Sequence, residues 1–219
     1  MRRRTLASLS GALLLAACAG APRWHGEAVD WLETYREQAL AGEARLAPSA
    51  LANAIDAFKR GGDWDGLALA HLTRCAIERA TDQPLAGCAA YREQQPLGAS
   101  RSNDAYARWL SGAAMRTDIE FLPAAYRHVA AALADGERAL LAERLADIEA
   151  PLSQLVALAI VWRQLPDPQP ALAACALVAA KQGWLAAHRV CLRREIAVLK
   201  ERGGAGAAER EQRLRLLGS

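Results

Sequence analysis

The side chains best placed to do chemistry are cysteines and histidines. Cys75, Cys88, Cys175 and Cys191 fall in two pairs, with His71 four residues before Cys75 and His188 three before Cys191. Two chemistries suit such a set. A thiolate and an imidazole on one helix face can ligate zinc, and two thiols held side by side can oxidise to a disulfide. Four cysteines allow three connectivities. Cys75 and Cys88 flank Thr81-Asp82-Gln83-Pro84 almost symmetrically, and Cys175 and Cys191 each lie eight residues from Gly183. Residues equidistant from the turn of an antiparallel hairpin are neighbours, which predicts Cys75–Cys88 and Cys175–Cys191. A disulfide needs Cα atoms roughly 4.4–6.8 Å apart, closer than the usual 8–10 Å between helix axes. Ala76, Ala89, Ala90, Ala174 and Ala187 are small enough to permit that approach. Cysteines joined in this way have no thiolate to offer, so no metal is expected.

Other reactive patterns are sparse. The sequence contains no His-Glu-x-x-His, no Gly-x-Ser-x-Gly and no glycine-rich phosphate loop. Gly203-Gly204-Ala205-Gly206 follows a helical pattern and lacks the lysine of a phosphate loop. His25 and His128 are isolated, and Glu143/Asp147 is an i,i+4 pair of the kind found on a solvated helix face. These observations predict no catalytic residues, no cofactor and a protein that is not an enzyme. The aromatic pairs Trp31/Tyr35 and Tyr106/Trp109 fall at helical i,i+4 and i,i+3 spacing. Exposed, they form a partner-binding surface, because such residues are enriched in binding hot spots. Buried, they fill the space that alanines leave in a core. The four are the candidate partner-binding residues.

The elements that must carry these groups read as helices nearly throughout. Alanine and leucine dominate, β-branched residues are few, and no five-residue stretch alternates as a strand would. Helices are predicted near 27–41, 48–60, 64–80, 84–94, 102–114, 120–134, 136–147, 151–165, 169–181, 184–201 and 206–217. Glycines at 42, 61, 62, 183, 203 and 204 mark stops. Pro48, Pro84, Pro123 and Pro151 suit first turns, and Asp63, Asp82, Ser102 and Asp135 suit N-caps. Connections are mostly short, so consecutive helices become antiparallel neighbours. Alternate helices start 33 to 38 residues apart, the size of a helix–turn–helix repeat. The fold class is therefore all-α: an array of antiparallel helical hairpins with about ten or eleven helices, with an irregular helical bundle as the alternative. Gly62-Asp63-Trp64-Asp65 resembles the tetratricopeptide turn, with Leu51, Phe58 and Leu67 where that family places large apolar residues; Gly183-Trp184 is a weaker echo. The resemblance covers one repeat and implies an α-solenoid with an extended surface for proteins or peptides.

The N-terminus supplies an address. Arg2-Arg3-Arg4 precedes an apolar run, Leu6–Ala17, which ends in Leu15-Ala16-Ala17-Cys18. A charged start, a short apolar centre and small residues are the build of an export signal. The stretch resembles the lipobox of bacterial lipoproteins. That resemblance implies cleavage before Cys18, lipidation of its side chain and amine, and a membrane anchor without a spanning helix. Twelve apolar residues are too few for a span, which takes roughly 20. Cleavage at Ala19-Gly20-Ala21 instead would release a soluble periplasmic protein. Ala19 stands where an aspartate would resemble the inner-membrane retention signal, so the expected location is the outer membrane, facing the periplasm, with the inner membrane as the alternative. Three segments follow: a signal at 1–17, a lipidated cysteine and short tether at 18–26, and one domain at 27–219. The formal charge of +3 belongs to the three signal arginines. The remaining chain is neutral, which argues against nucleic acid, a ligand that wants a basic face. The expected function is a lipid-anchored scaffold or adaptor that binds another envelope protein. The alternatives are an inhibitor or immunity-type lipoprotein presenting Gln94–Arg101 as a projecting loop, and an envelope enzyme with a dispersed site.

Overall fold

The computed structural model describes residues 22–98 and 100–218. Cys18 and the expected signal lie outside the described residues. Eleven α-helices are present among them: α1 (Arg23–Ala41), α2 (Ala47–Gly61), α3 (Trp64–Ala80), α4 (Ala86–Gln94), α5 (Arg101–Ser111), α6 (Ala124–Asp135), α7 (Leu141–Ala146), α8 (Pro151–Val161), α9 (Gln169–Lys181), α10 (Leu185–Glu201) and α11 (Ala207–Leu216). The all-α array of antiparallel hairpins stands as expected, and no strand occurs among the described residues. None of the described helices is long and apolar enough to cross a membrane.

Local chemistry explains the boundaries. Asp63 caps α3 by accepting from the Gly66 amide at 2.8 Å, and Gly62 closes α2 with φ +65°, a left-handed conformation that favours glycine. Several expectations shift: Asp82 caps no helix, since α4 starts at Ala86 with Leu85 at its N-cap, and Asp82 pairs with Arg194 instead. Helix α1 starts at Arg23 rather than 27, because Trp24 finds a surface against Gly61 at the end of α2. The cap of α5 is Ser100, which accepts from the Asn103 amide at 3.1 Å, and not Ser102. Asp135 is the last residue of α6, not a cap, and the chain before α6 runs as a tight 3-10 turn over Arg116–Phe121. That turn is pinned by Asp118, which takes two hydrogen bonds from Arg108 and one from the Met115 amide at 2.8 Å.

Both predicted disulfides are present. Cys75–Cys88 joins α3 to α4 with Cα atoms 5.1 Å apart, and Cys175–Cys191 joins α9 to α10 at 5.8 Å. The first crossing depends on Gly87. A Cβ there would stand 2.5 Å from the Cys75 amide nitrogen and 2.5 Å from the His71 carbonyl oxygen. The array is also closed on itself. In an extended solenoid each repeat touches only its neighbours; here α1 lies against α10, and α3 against α8. Helix α11 covers the last hairpin through Arg210–Glu195 at 3.0 Å and Lys200–Glu211 at 2.6 Å.

Candidate functional site

The four candidate aromatic residues do not form one surface. Trp109 is 2% exposed and Tyr35 6%. Tyr106 is packed against the core, its ring stacked 5.6 Å from that of buried Tyr126. Only Trp31, at 42%, is open to solvent. The physical reason is volume: the alanine-rich helices leave space that the large rings occupy. Four residues turn a helix about 40° past a full circle, and on α1 that offset accompanies a buried Tyr35 and an exposed Trp31. Of the expected Gln94–Arg101 loop, residues 94–97 do not project as an irregular loop. Gln95–Leu97 is a 3-10 turn, the Gln94 amide donates to the Trp64 carbonyl at 2.9 Å, and the Gln95 amide donates to Asp104 at 2.8 Å.

Tyr35 instead helps to line a cleft of about 470 Å³ between the C-terminal half of α1, the N-terminal half of α2 and α3. Its position follows from antiparallel packing. The α1–α2 connection, Gly42–Leu46, lies at this end, beside Ala186 at the start of α10. Leu51 and Ile55 of α2 and Ile77 of α3 supply apolar walls, and Tyr35, Arg74, Glu78 and Gln83 supply polar atoms. A pocket of this size, mostly apolar with a few convergent polar groups, is the usual form of a binding site.

The polar groups are held by α3. Arg74 and Glu78 stand one turn apart, and the Arg74 Nε donates to Glu78 Oε1 at 2.7 Å. The second carboxylate oxygen accepts from the Gly87 amide at 2.8 Å, at the N-terminus of α4, where a negative charge is favoured. Glu78 is thus buried, paired and fully engaged. Arg74 makes no other hydrogen bond among the described residues and is one of the residues that line the cleft. Burial pushes the Tyr35 hydroxyl well above its ordinary pKa; the Glu78 carboxylate adds to the effect and Arg74 opposes it. The hydroxyl therefore stays protonated and serves as a neutral donor or acceptor. Such an arrangement can hold an apolar side chain together with an adjoining polar group.

The histidines take no part in this site. The Cys75 and Cys191 sulfur atoms are bonded to their cysteine partners, and no group of three or more His, Cys, Asp or Glu residues is placed to hold a metal among the described residues. Burial makes both His71 and His188 less basic, and nearby cations add to the effect: Lys59 and Arg74 for His71, Arg213 for His188. Sequence reasoning singled out Tyr35 but missed Arg74, Glu78 and Gln83. The i,i+4 spacing of Arg74 and Glu78 was a signal for their pairing, though not for their place in a cleft. No family model matches the chain, and neither a curated protein nor a solved structure matches it.

Proposed function

We propose that the protein is a lipid-anchored envelope protein, tethered through Cys18 to the outer membrane and facing the periplasm, which binds another envelope protein. The observation that carries the reading is the α1–α2–α3 cleft, with apolar walls from Leu51, Ile55 and Ile77 and polar groups from Tyr35 and from Arg74, which Glu78 braces. It suits an apolar side chain of a partner, because the pocket exists in the unbound chain and needs no ordering on association. Glu78 has both oxygens committed to structural bonds, so the cleft's one buried carboxylate acts as a brace for Arg74. The two disulfides agree with an oxidising compartment.

The test is affinity capture of the tagged protein from crosslinked envelopes, comparing the native chain with Ala52→Trp. Ala52 lies exposed at the cleft wall, so an indole there fills the opening without entering the core. The reading expects a discrete partner with the native chain, its loss with the variant, and the same thermal stability in both. Equal capture by both chains would remove the cleft from the binding surface. Turnover of a cell-wall or lipid substrate by the purified protein would overturn the binding role itself. Intact-mass analysis should find acyl mass on Cys18 at the mature N-terminus; an unmodified chain starting at Pro22 would overturn the anchor.

A further inference from the structure

The tether and the fold together say which end of the molecule meets the membrane. Resting on the proposed lipidation of Cys18, we infer that the end of the array formed by the start of α1, the α2–α3 turn and the Gln95–Leu97 turn is a lipid-seating face, with Trp64 and Leu97 entering the lipid–water interface. The first support is reach. Helix α1 starts at Arg23, five residues after Cys18. Extended chain spans at most about 3.3–3.6 Å per residue, so that start lies within roughly 17 Å of the lipidated residue. A folded domain held so closely must rest some face on the bilayer.

The second support is what that end displays. Trp24 packs on Gly61, placing the start of α1 beside the end of α2. Three residues on, Trp64 opens α3 with its side chain 43% exposed, and its Cβ lies 3.3 Å from where a Cβ on Gly98 would stand. The Gln94 amide bond to the Trp64 carbonyl holds the second turn in place, and the neighbouring Leu97 is 60% exposed. Two large apolar side chains are thus carried on adjoining turns, both open to solvent, at the end the tether reaches. Indole rings favour the headgroup level of a bilayer, where one edge is apolar and the other hydrogen-bonds to water.

Charge does not drive the contact. Arg23 is bonded to Glu27 at 2.9 Å, and Lys59 and Arg60 at the end of α2 are offset by Asp63 and Asp65 at the start of α3. Seating should therefore depend little on salt or on anionic lipid. The geometry also orders the molecule. Helix α1 has 19 residues, about 28 Å at 1.5 Å per residue, and the cleft lies at its far end. A chain seated on Trp64 and Leu97 holds the cleft mouth away from the bilayer.

The experiment uses the acylated mature protein in phosphatidylethanolamine/phosphatidylglycerol vesicles containing a phospholipid with a photoreactive diazirine near its headgroup. Crosslinked peptides are mapped by mass spectrometry. The seating face predicts crosslinks in 22–26, 59–65 and 95–97, equally at low and high salt. The double variant Trp64→Glu, Leu97→Glu should lose most of them while keeping its acyl mass. Both positions are solvent-exposed, and an acid in the first turn of α3 favours the helix; a native disulfide map and far-ultraviolet spectrum verify the fold. Crosslinks spread evenly, or concentrated at residues 42–52, on a chain that carries its acyl group would overturn the seating face alone. Absence of acyl mass on Cys18 would overturn the tether and the seating face together.

Discussion

Replacing Gly87 by alanine adds one methyl group where α3 and α4 cross, and the structure sets the cost. The new Cβ would meet the Cys75 nitrogen and the His71 oxygen at 2.5 Å and the Arg74 Cβ at 2.9 Å. Non-bonded carbon contacts settle near 3.5–4.0 Å, and two of these three neighbours are backbone that cannot rotate away. The helices must separate by about an ångström, against a disulfide that holds Cys75 and Cys88 with Cα atoms 5.1 Å apart. Overpacking of this kind costs about 1–3 kcal/mol. Separation also lengthens the bond from the Gly87 amide to Glu78, and a hydrogen bond to a charged group contributes about 1.5–3 kcal/mol. Alanine returns about 1 kcal/mol through its better helix propensity. The net expectation is a loss of about 3 kcal/mol in urea unfolding, or roughly 6–12 °C in melting temperature for a chain of this size. Gly26→Ala is the internal control: no atom lies within 4 Å of its added Cβ, so the same substitution should stabilise by up to about 1 kcal/mol. The cost should reach the cleft too, because a displaced Glu78 no longer fixes Arg74. A loss below about 1 kcal/mol for Gly87→Ala would refute the close helix crossing and the fixed geometry built on it.

The aromatic residues separate in a melting series: Trp109→Ala should cost roughly 3–5 kcal/mol as a core deletion, and Trp31→Ala should change stability by less than about 0.5 kcal/mol; equal losses would contradict their assigned burial. Non-reducing peptide mapping should recover Cys75–Cys88 and Cys175–Cys191, and a crossed pair would overturn the hairpin register. The Arg108 hydrogen bonds hold the Asp118 carboxyl below its ordinary range; burial opposes them and the Met115 amide assists. A carboxyl depressed on folding stabilises fully above its unfolded pKa of about 3.9 and loses that contribution as pH falls through the folded value. Urea unfolding of the native chain and Asp118→Asn from pH 7 downward should therefore converge below about pH 4, and a stability gap that stays constant into acid would show that the charge contributes nothing.

Much of this protein is local in origin. Helix α3 runs over Trp64–Ala80, the span its sequence pattern marks, because Gly62 and Asp63 punctuate its start through backbone freedom and a cap that act within three residues. The disulfide pairing was legible for the same reason: each pair spans one short turn, so symmetry about that turn sets which sulfur atoms meet. The early start of α1 was not legible, because Trp24 becomes helical against Gly61, a residue distant in sequence. Tyr35 and Trp31 carried identical signals at i,i+4, yet one is buried and the other exposed. Only the packing of the other helices against α1 distinguishes them. The cleft was hidden for a related reason. Its walls come from α1, α2 and α3 and its edge from the start of α10, and the contact between α1 and α10 depends on how the hairpin array closes. Sequence by itself determined what forms within a turn or a hairpin, where the interacting groups are already neighbours along the chain. Tertiary structure alone decided which faces meet across the array, because packing many alanine-rich helices leaves burial to the shape of the whole.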